Sequence, residues 1–295
     1  MVILCGIPSE PALLHVGDAL EERGARYAVL NQRHFADWRL EVDEQGDGLL
    51  WLGRQAIPTA EISAVYLRLM DHTALPEAAA DPVRCAARHD ELYAWLEVTP
   101  LPVVNRPSLH SSNVSKPFQI QRIGAAGLAV PETLVTDDAA AVLAFAERVG
   151  PLIYKAVSGA RTIVRPFDPT ADLSRIASCP VQFQRRIDGV DVRVHRVGPE
   201  LFPTAARSQA TDYRYAHDDG LETTLEAFEI DAPTAAACLA AADALGFPLA
   251  GIDLRVDAEG RAHCFEVNPS PSFTYYEKGT GQPIAAAIAR LLCDG

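Results

Sequence analysis

Between Gly251 and Pro271 the chain reads as two apolar, β-rich runs. These are Gly251-Ile252-Asp253-Leu254-Arg255 and Phe265-Glu266-Val267-Asn268-Pro269-Ser270-Pro271, joined by the turn Asp257-Ala258-Glu259-Gly260. In extended backbone the side chains alternate faces, so Glu266 and Asn268 point the same way. The turn folds the first run back and sets Asp253 beside them. Two carboxylates and one amide oxygen converging on a sheet face make a site for a hard cation. Mg2+ fits best, because it takes few protein oxygens and completes its octahedron with water and substrate phosphates. The competing reading is a hairpin with a polar, solvated face. Against it stands the apolar setting of Phe265-Glu266-Val267-Asn268, where an unpaired buried carboxylate is costly. Simple alternation also puts Cys264, two residues before Glu266, on the face of Glu266, where packing explains it better than chemistry.

Composition narrows the rest. A chain of 295 residues with 48% hydrophobic content allows two or three packed units with a sizeable core. The net charge of −13 argues against a nucleic-acid partner, which needs a basic stripe. The N-terminal run Met1–Ile7 lacks a basic flank and is too short for a signal or a spanning helix, and no later apolar run reaches eighteen residues without a charge. A soluble, cytoplasmic protein with no membrane partner is expected. Six cysteines stand singly, with no C-x-x-C pair, and read as reduced thiols. Only three lysines occur, Lys116, Lys155 and Lys278, against many arginines, so each marks a place where a compact point charge is wanted.

Along the chain, strands alternate with helices through the N-terminal third: a buried strand over Met1–Ile7, a helix to about Arg23, a strand over Arg26–Leu30, a hairpin over Leu40–Leu52, a strand over Ala64–Leu69 and a helix over Asp81–Val98. This pattern predicts a parallel, Rossmann-like sheet. Ile7-Pro8-Ser9-Glu10 is a poor phosphate cradle, so no dinucleotide site is expected there. Leu101–Pro107 is a domain edge. A helix over about Ser112–Gly127, strands carrying Lys155 and Gln184, a hairpin about Gly198, an alanine-rich helix over Pro233–Leu245 and a last helix over Pro283–Cys293 complete the pattern. The expected domains are 1–104, 105–184 and 185–295.

An ordered series of motifs runs through the last two-thirds of the chain. Gly127-Leu128-Ala129-Val130-Pro131-Glu132-Thr133 resembles a G-x-x-x-P-x-T strand entry, and Tyr154-Lys155-Ala156 the second-lysine strand. Phe183-Gln184-Arg185-Arg186-Ile187 is similar to the hinge usually written Q-E-Y-I, with Arg185 in place of the glutamate. Asp191-Val192-Arg193-Val194 resembles D-I-R-V, Asp212-Tyr213-Arg214 resembles D-F-R, and Glu266–Pro271 resembles E-V-N-x-S-P. The tail Glu277-Lys278-Gly279-Thr280-Gly281 is similar to E-K-x-T-G. In this order the motifs resemble the ATP-grasp carboxylate ligases, in particular their RimK-like branch, over about the last 190 residues.

The resemblance implies an α/β ATP-grasp fold with an N-terminal Rossmann-like domain, using ATP and Mg2+, with Mn2+ as a substitute. It implies Lys116 and Lys155 as phosphate-side cations, and Gln184, Arg185, Arg186 and Ile187 as the lining of the adenine pocket. Asp191 would accept from the ribose hydroxyls, while Arg193, Arg207 and Arg214 would grip the γ-phosphate and acyl phosphate. Asp253, Glu266 and Asn268 would hold the metal. The implied reaction activates a carboxylate as an acyl phosphate and joins it to an amine or a hydroxyl, on a peptide or amino-acid substrate. Dimers and tetramers are frequent among such ligases. Two branches compete: one resembles the ribosomal-protein glutamate ligases, the other the microviridin-type ligases that crosslink a precursor peptide. The alternative of another class is a nucleotide-binding regulatory or scaffold protein without catalysis. No H-E-x-x-H or G-x-S-x-G motif offers a different chemistry.

Overall fold

The computed structural model describes residues 1–113, 115–157, 164–208 and 222–294. They fall into two compact units. The first comprises Met1–His110, Phe247–Leu249 and Ser270–Gly295, and the second Ser111–Gly246 and Ala250–Pro269. The boundary read near residue 104 thus falls just before the end of the first segment. The one read at 184/185 lies within a strand of the second unit.

The first unit opens with β1 (Val2–Gly6), α1 (Pro11–Glu22), β2 (Tyr27–Asn31), β3 (Trp38–Val42), β4 (Gly48–Leu52), β5 (Gln55–Pro58), β6 (Ala64–Arg68), α2 (Pro82–Val98) and β7 (Val103–Val104). Strands β2-β1-β6-β7 form a parallel sheet in that order. Every residue of β1 is buried, as expected of a parallel strand covered on both faces, which is why it reads as an unbroken apolar run. Pro11 starts α1, where its missing N–H costs nothing, and Asp81 caps α2 by accepting from the backbone N–H of Arg84. The expected hairpin is present as β3–β4, but it continues into a third antiparallel strand, β5, through the tight turn Gly53-Arg54. Gly53 takes φ of 60°, which glycine adopts without strain. Ile3, Cys5, Leu30, Val65, Leu92 and Trp95 form much of the core, and the Trp95 indole N–H donates to the Gly46 carbonyl at 3.1 Å.

The second unit begins with α3 (Lys116–Ala125), β8 (Thr133–Thr136), α4 (Ala139–Val149), β9 (Leu152–Ala156), β10 (Arg165–Pro166) and β11 (Val181–Arg185). It continues through β12 (Val190–Val197), β13 (Glu200–Ser208), β14 (Thr223–Ala227), α5 (Ala232–Ala244), β15 (Leu249–Val256) and β16 (Ala262–Asn268). The helix expected from Ser112 starts at Lys116 instead, after a 3-10 stretch over Pro107–Asn113. Pro117 explains the shift, because it lacks an N–H and suits only a first helical turn. Two sheets result, β10-β9-β11-β8 and β14-β13-β12-β15-β16. Helix α4 covers one face of the first of these, where Val142, Phe145, Leu152 and Phe183 cluster with Leu134 and Tyr154.

Back in the first unit, α6 (Thr274–Thr280), which the sequence reading did not anticipate, and α7 (Ile284–Asp294) follow. Arg23 pairs with Asp294 at 2.9 Å and His15 with Glu277 at 3.1 Å, fixing the two helices near α1. Among the described residues no helix is long and apolar enough to cross a membrane.

Phe183 is almost fully buried, edge-on to Phe167 at 5.5 Å between centroids. Phe183→Ala is expected to cost the second unit roughly 3–5 kcal/mol, the usual penalty for removing a core aromatic. Urea unfolding followed by circular dichroism measures it.

Candidate active site

Antiparallel pairing sets Asp253 directly opposite Glu266 and Gly251 opposite Asn268. The three predicted oxygen donors therefore share one face of β15–β16. Beyond them the register shifts by a bulge between Asp253 and Leu254, so that Leu254 faces Cys264. The extra residue reverses the alternation. Cys264 consequently lies on the opposite, core side, fully buried, and not on the face of Glu266 as simple alternation suggested. Burial pushes its thiol well above the ordinary range, which suits packing and not reaction. The turn below the bulge is fixed by Asp257. Its carboxyl is held down to about 2, first by His263 at 2.9 Å and further by the backbone N–H of Arg261.

Like charges directly opposite on two strands repel. Here two cations answer them. The Arg193 guanidinium, buried on β12, donates from Nη1 to Asp253 Oδ1 at 2.5 Å, and Lys116 Nζ lies 3.5 Å from Glu266 Oε2. Arg193 lies across Gly251, where a β-carbon would collide with the guanidinium. This close approach explains the glycine at that strand position. The side chain of Gln119, one turn along α3 from Lys116, pairs with both backbone groups of Val267: Nε2 donates to its carbonyl at 2.8 Å and Oε1 accepts from its N–H at 3.0 Å. The helix bearing Lys116 is thereby tied to the strand bearing Glu266 and Asn268. Among the described residues no three His, Cys, Asp or Glu side chains converge. Asp253, Glu266 and Asn268 offer oxygen alone, a chemistry that would suit Mg2+ or Mn2+ and not a soft cation.

In the other sheet Lys155 stands opposite Gln182, and Gln184 opposite Ile153. Phe183 and Tyr154 take the face under α4. Lys155, Gln182 and Gln184 therefore share the other face, and all three are buried. Gln184 donates from Nε2 to Thr133 Oγ1 at 3.0 Å. In the hinge that follows, the side chains of Arg185 and Arg186 turn outward to Glu132 and Asp188. Their backbone N–H groups donate to the carbonyls of Glu132 and Pro151. Both guanidinium groups are thus taken up by acidic side chains at the surface. Ile187 is buried, and its carbonyl accepts from Arg255 Nη1 at 3.0 Å. Asp191 is gripped by the same Arg255, whose Nη2 donates to Oδ1 at 2.6 Å and Oδ2 at 2.7 Å.

The remaining arginines separate. The register puts Arg207 on the side of Ala205 and Val192, opposite to that of Arg193 and Thr204, and it pairs there with Glu226 at 2.5 Å, half exposed. The structure does not bring Arg207 to the carboxylate corner, because it stands three positions, an odd step, along β13 from Thr204. Arg214, with the rest of Asp212–Arg214, lies outside the described residues, as does the turn Ser158–Arg161. Arg68 belongs to the first unit, where it is paired with Glu10 and donates to Ser270 Oγ at 2.9 Å. Of the three lysines, Lys116 and Lys155 are buried and Lys278 is exposed on α6. Gln119, Gln182 and Arg255 were missed by sequence reasoning. A glutamine three residues after a site lysine and an arginine two after a metal carboxylate were the only signals available.

The second unit thus carries two sheets, one presenting Lys155 and the segment Arg185–Ile187, the other the facing carboxylates Asp253 and Glu266. The model of the RimK-like ATP-grasp domain matches residues 116–292, more than half of the chain, and the chain belongs to that family. No curated protein matches it in sequence. Among solved structures it is similar over 99% of its length to the ATP-grasp ligase PsnB complexed with minimal precursor, Mg and ADP, at 30% identity, TM-score 0.82 and 96% of that chain. It shares its fold with the macrocyclase MdnC bound to precursor peptide MdnA from Microcystis aeruginosa MRC, at 21% identity, TM-score 0.82 and full coverage of both chains. The same holds for a Chryseobacterium gregarium RiPP-associated ATP-grasp ligase in complex with ADP and a leader and core peptide, at 19% identity, TM-score 0.84, and 99% and 96% coverage.

Gln119→Leu leaves both buried backbone groups of Val267 without their partner. A loss of roughly 2–6 kcal/mol is expected, from about 1–3 kcal/mol for each of the two orphaned groups, and chemical denaturation of the variant against the parent measures it.

Proposed function

We propose that this chain is an ATP- and Mg2+-dependent ligase that modifies a precursor peptide, activating a side-chain carboxylate and joining it to a hydroxyl or amine of the same peptide. The observation that carries the reading is the facing pair Asp253–Glu266 with Arg193 and Lys116 against it. Full-length likeness to PsnB, a ligase seen with its precursor, Mg and ADP, supports the peptide substrate and the crosslinking branch.

Phosphoryl transfer leaves the protein little to do beyond positioning and charge neutralisation. A carboxylate oxygen of the peptide attacks the γ-phosphorus and the bond to the ADP oxygen breaks, giving an acyl phosphate. The hydroxyl or amine then attacks the acyl carbon, loses its proton, and expels inorganic phosphate. Asp253, Glu266 and Asn268 would hold the divalent ion, which would supply charge neutralisation on the phosphate chain. Without nucleotide the corner is balanced, two carboxylates against two cations. Lys116, in loose contact with Glu266, is placed to turn its ammonium to an arriving triphosphate, which would leave that carboxylate available to a cation. Lys155, with its ammonium on the face shared with Gln182 and Gln184, answers the phosphate chain from the other sheet. The hinge backbone from Arg185 to Ile187 lines the base. Asp191, oriented by Arg255, accepts from the ribose hydroxyls, since a carboxylate takes up to about four hydrogen bonds. Arg193 orients Asp253, and Arg214 remains the arginine for the transferred phosphate.

A passive nucleotide-binding scaffold has no use for the facing carboxylates. ADP release by the full chain with Mg2+ and a candidate precursor peptide tests the reading, with a dehydrated (18 Da lighter) peptide as the expected product by mass spectrometry. Asp253→Asn and Glu266→Gln are expected to stay folded while turnover falls at least about a hundred-fold, as when charge stabilisation worth several kcal/mol is removed. Parental rates in both variants contradict the metal assignment.

A further inference from the structure

Gln182 is completely buried, and neither its Nε2 nor its Oε1 has a hydrogen-bond partner. Leaving a buried polar group unpaired costs about 1–3 kcal/mol, so a residue serving only the fold would be apolar here. Its neighbour Phe183 supplies the packing, on the face under α4. Gln182 instead shares its face with Lys155, directly opposite in the register, and with Gln184. The Gln184 Oε1 is likewise buried without a partner, while its Nε2 is committed to Thr133. An unpaired amide therefore sits beside the phosphate-side lysine and three residues before the hinge at Arg185–Ile187.

A glutamine amide offers one acceptor and two donors at fixed spacing. Adenine offers the complement along one edge, a donor at the N6 amine and an acceptor at N7, and glutamine pairs with that edge in a bidentate manner. A 6-oxo purine presents two acceptors there and leaves the amide oxygen facing a carbonyl. We propose that Gln182 reads the N6/N7 edge of the adenine and sets the purine preference of this ligase. This deepens the nucleotide-site reading above and rests on it. Gln182 acts on binding and not on the chemical step.

The test is calorimetric titration of the full chain with Mg2+ and three nucleotides: ADP, IDP and 7-deaza-ADP. The parent is expected to bind ADP about ten-fold or more tightly than either analogue, within the range of a bidentate base contact. Gln182→Met, close in length but without the amide, is expected to weaken ADP by about the same factor and to bind all three nearly alike. Its nucleotide-free melting temperature should equal or exceed that of the parent, because the unpaired amide is gone. A variant that keeps the parental ranking of the three ligands overturns the proposal, and so does a nucleotide-free melting temperature several degrees lower, which would make Gln182 a fold residue. A parent that binds ADP but does not discriminate defeats Gln182 alone. A parent that binds no ADP defeats the nucleotide site itself and the proposal with it.

Discussion

Two carboxylates held face to face across adjacent strands are an arrangement that a folded chain tolerates only with opposing charge. In this protein the tolerance comes from Arg193 on the neighbouring strand and Lys116 on α3. Much of the second unit can be understood as support for that corner. Gly251 has no β-carbon because Arg193 lies across it. Gln119 copies the pairing of a strand edge to keep α3 against β16. The bulge after Asp253 ends the shared face at the point where the core must resume with Cys264.

The scarcity of lysine gains a physical meaning from the same corner. Two of the three lysines are buried, one beside a carboxylate and the other beside an unpaired amide. An ammonium is a compact charge on a flexible stem and can move from a carboxylate to a phosphate. Arginine forks serve where the partner is fixed: Arg193 on Asp253, and Arg255 on Asp191 and the hinge carbonyl of Ile187. On the proposed reading, the two buried lysines stand where charge would shift, and Arg193 and Arg255 where geometry must hold.

The fold class, the β15–β16 hairpin and most strands were legible because their periodicity and turn residues are local. What escaped notice depended on things periodicity does not carry. The bulge reversed Cys264 because one inserted residue flips every side chain beyond it. Pro117 delayed α3, because a proline suits only the first turn of a helix. Strand β5 was hidden because Gly53-Arg54 is a two-residue turn between short runs. Arg207 looked like Arg193 in sequence, but opposite parity along β13 sends it to Glu226. Gln119 and Arg255 act through contacts across about 148 and 64 residues of chain, separations that a single sequence cannot reveal.

The most direct test is a crystal structure of the full chain grown with ADP and Mn2+, located by its anomalous signal. The account predicts a metal peak about 2.0–2.2 Å from oxygens of Asp253, Glu266 and Asn268, with Lys116 withdrawn from Glu266 toward phosphate. A metal bound elsewhere, with Arg193 and Lys116 still closed upon the two carboxylates, would contradict it.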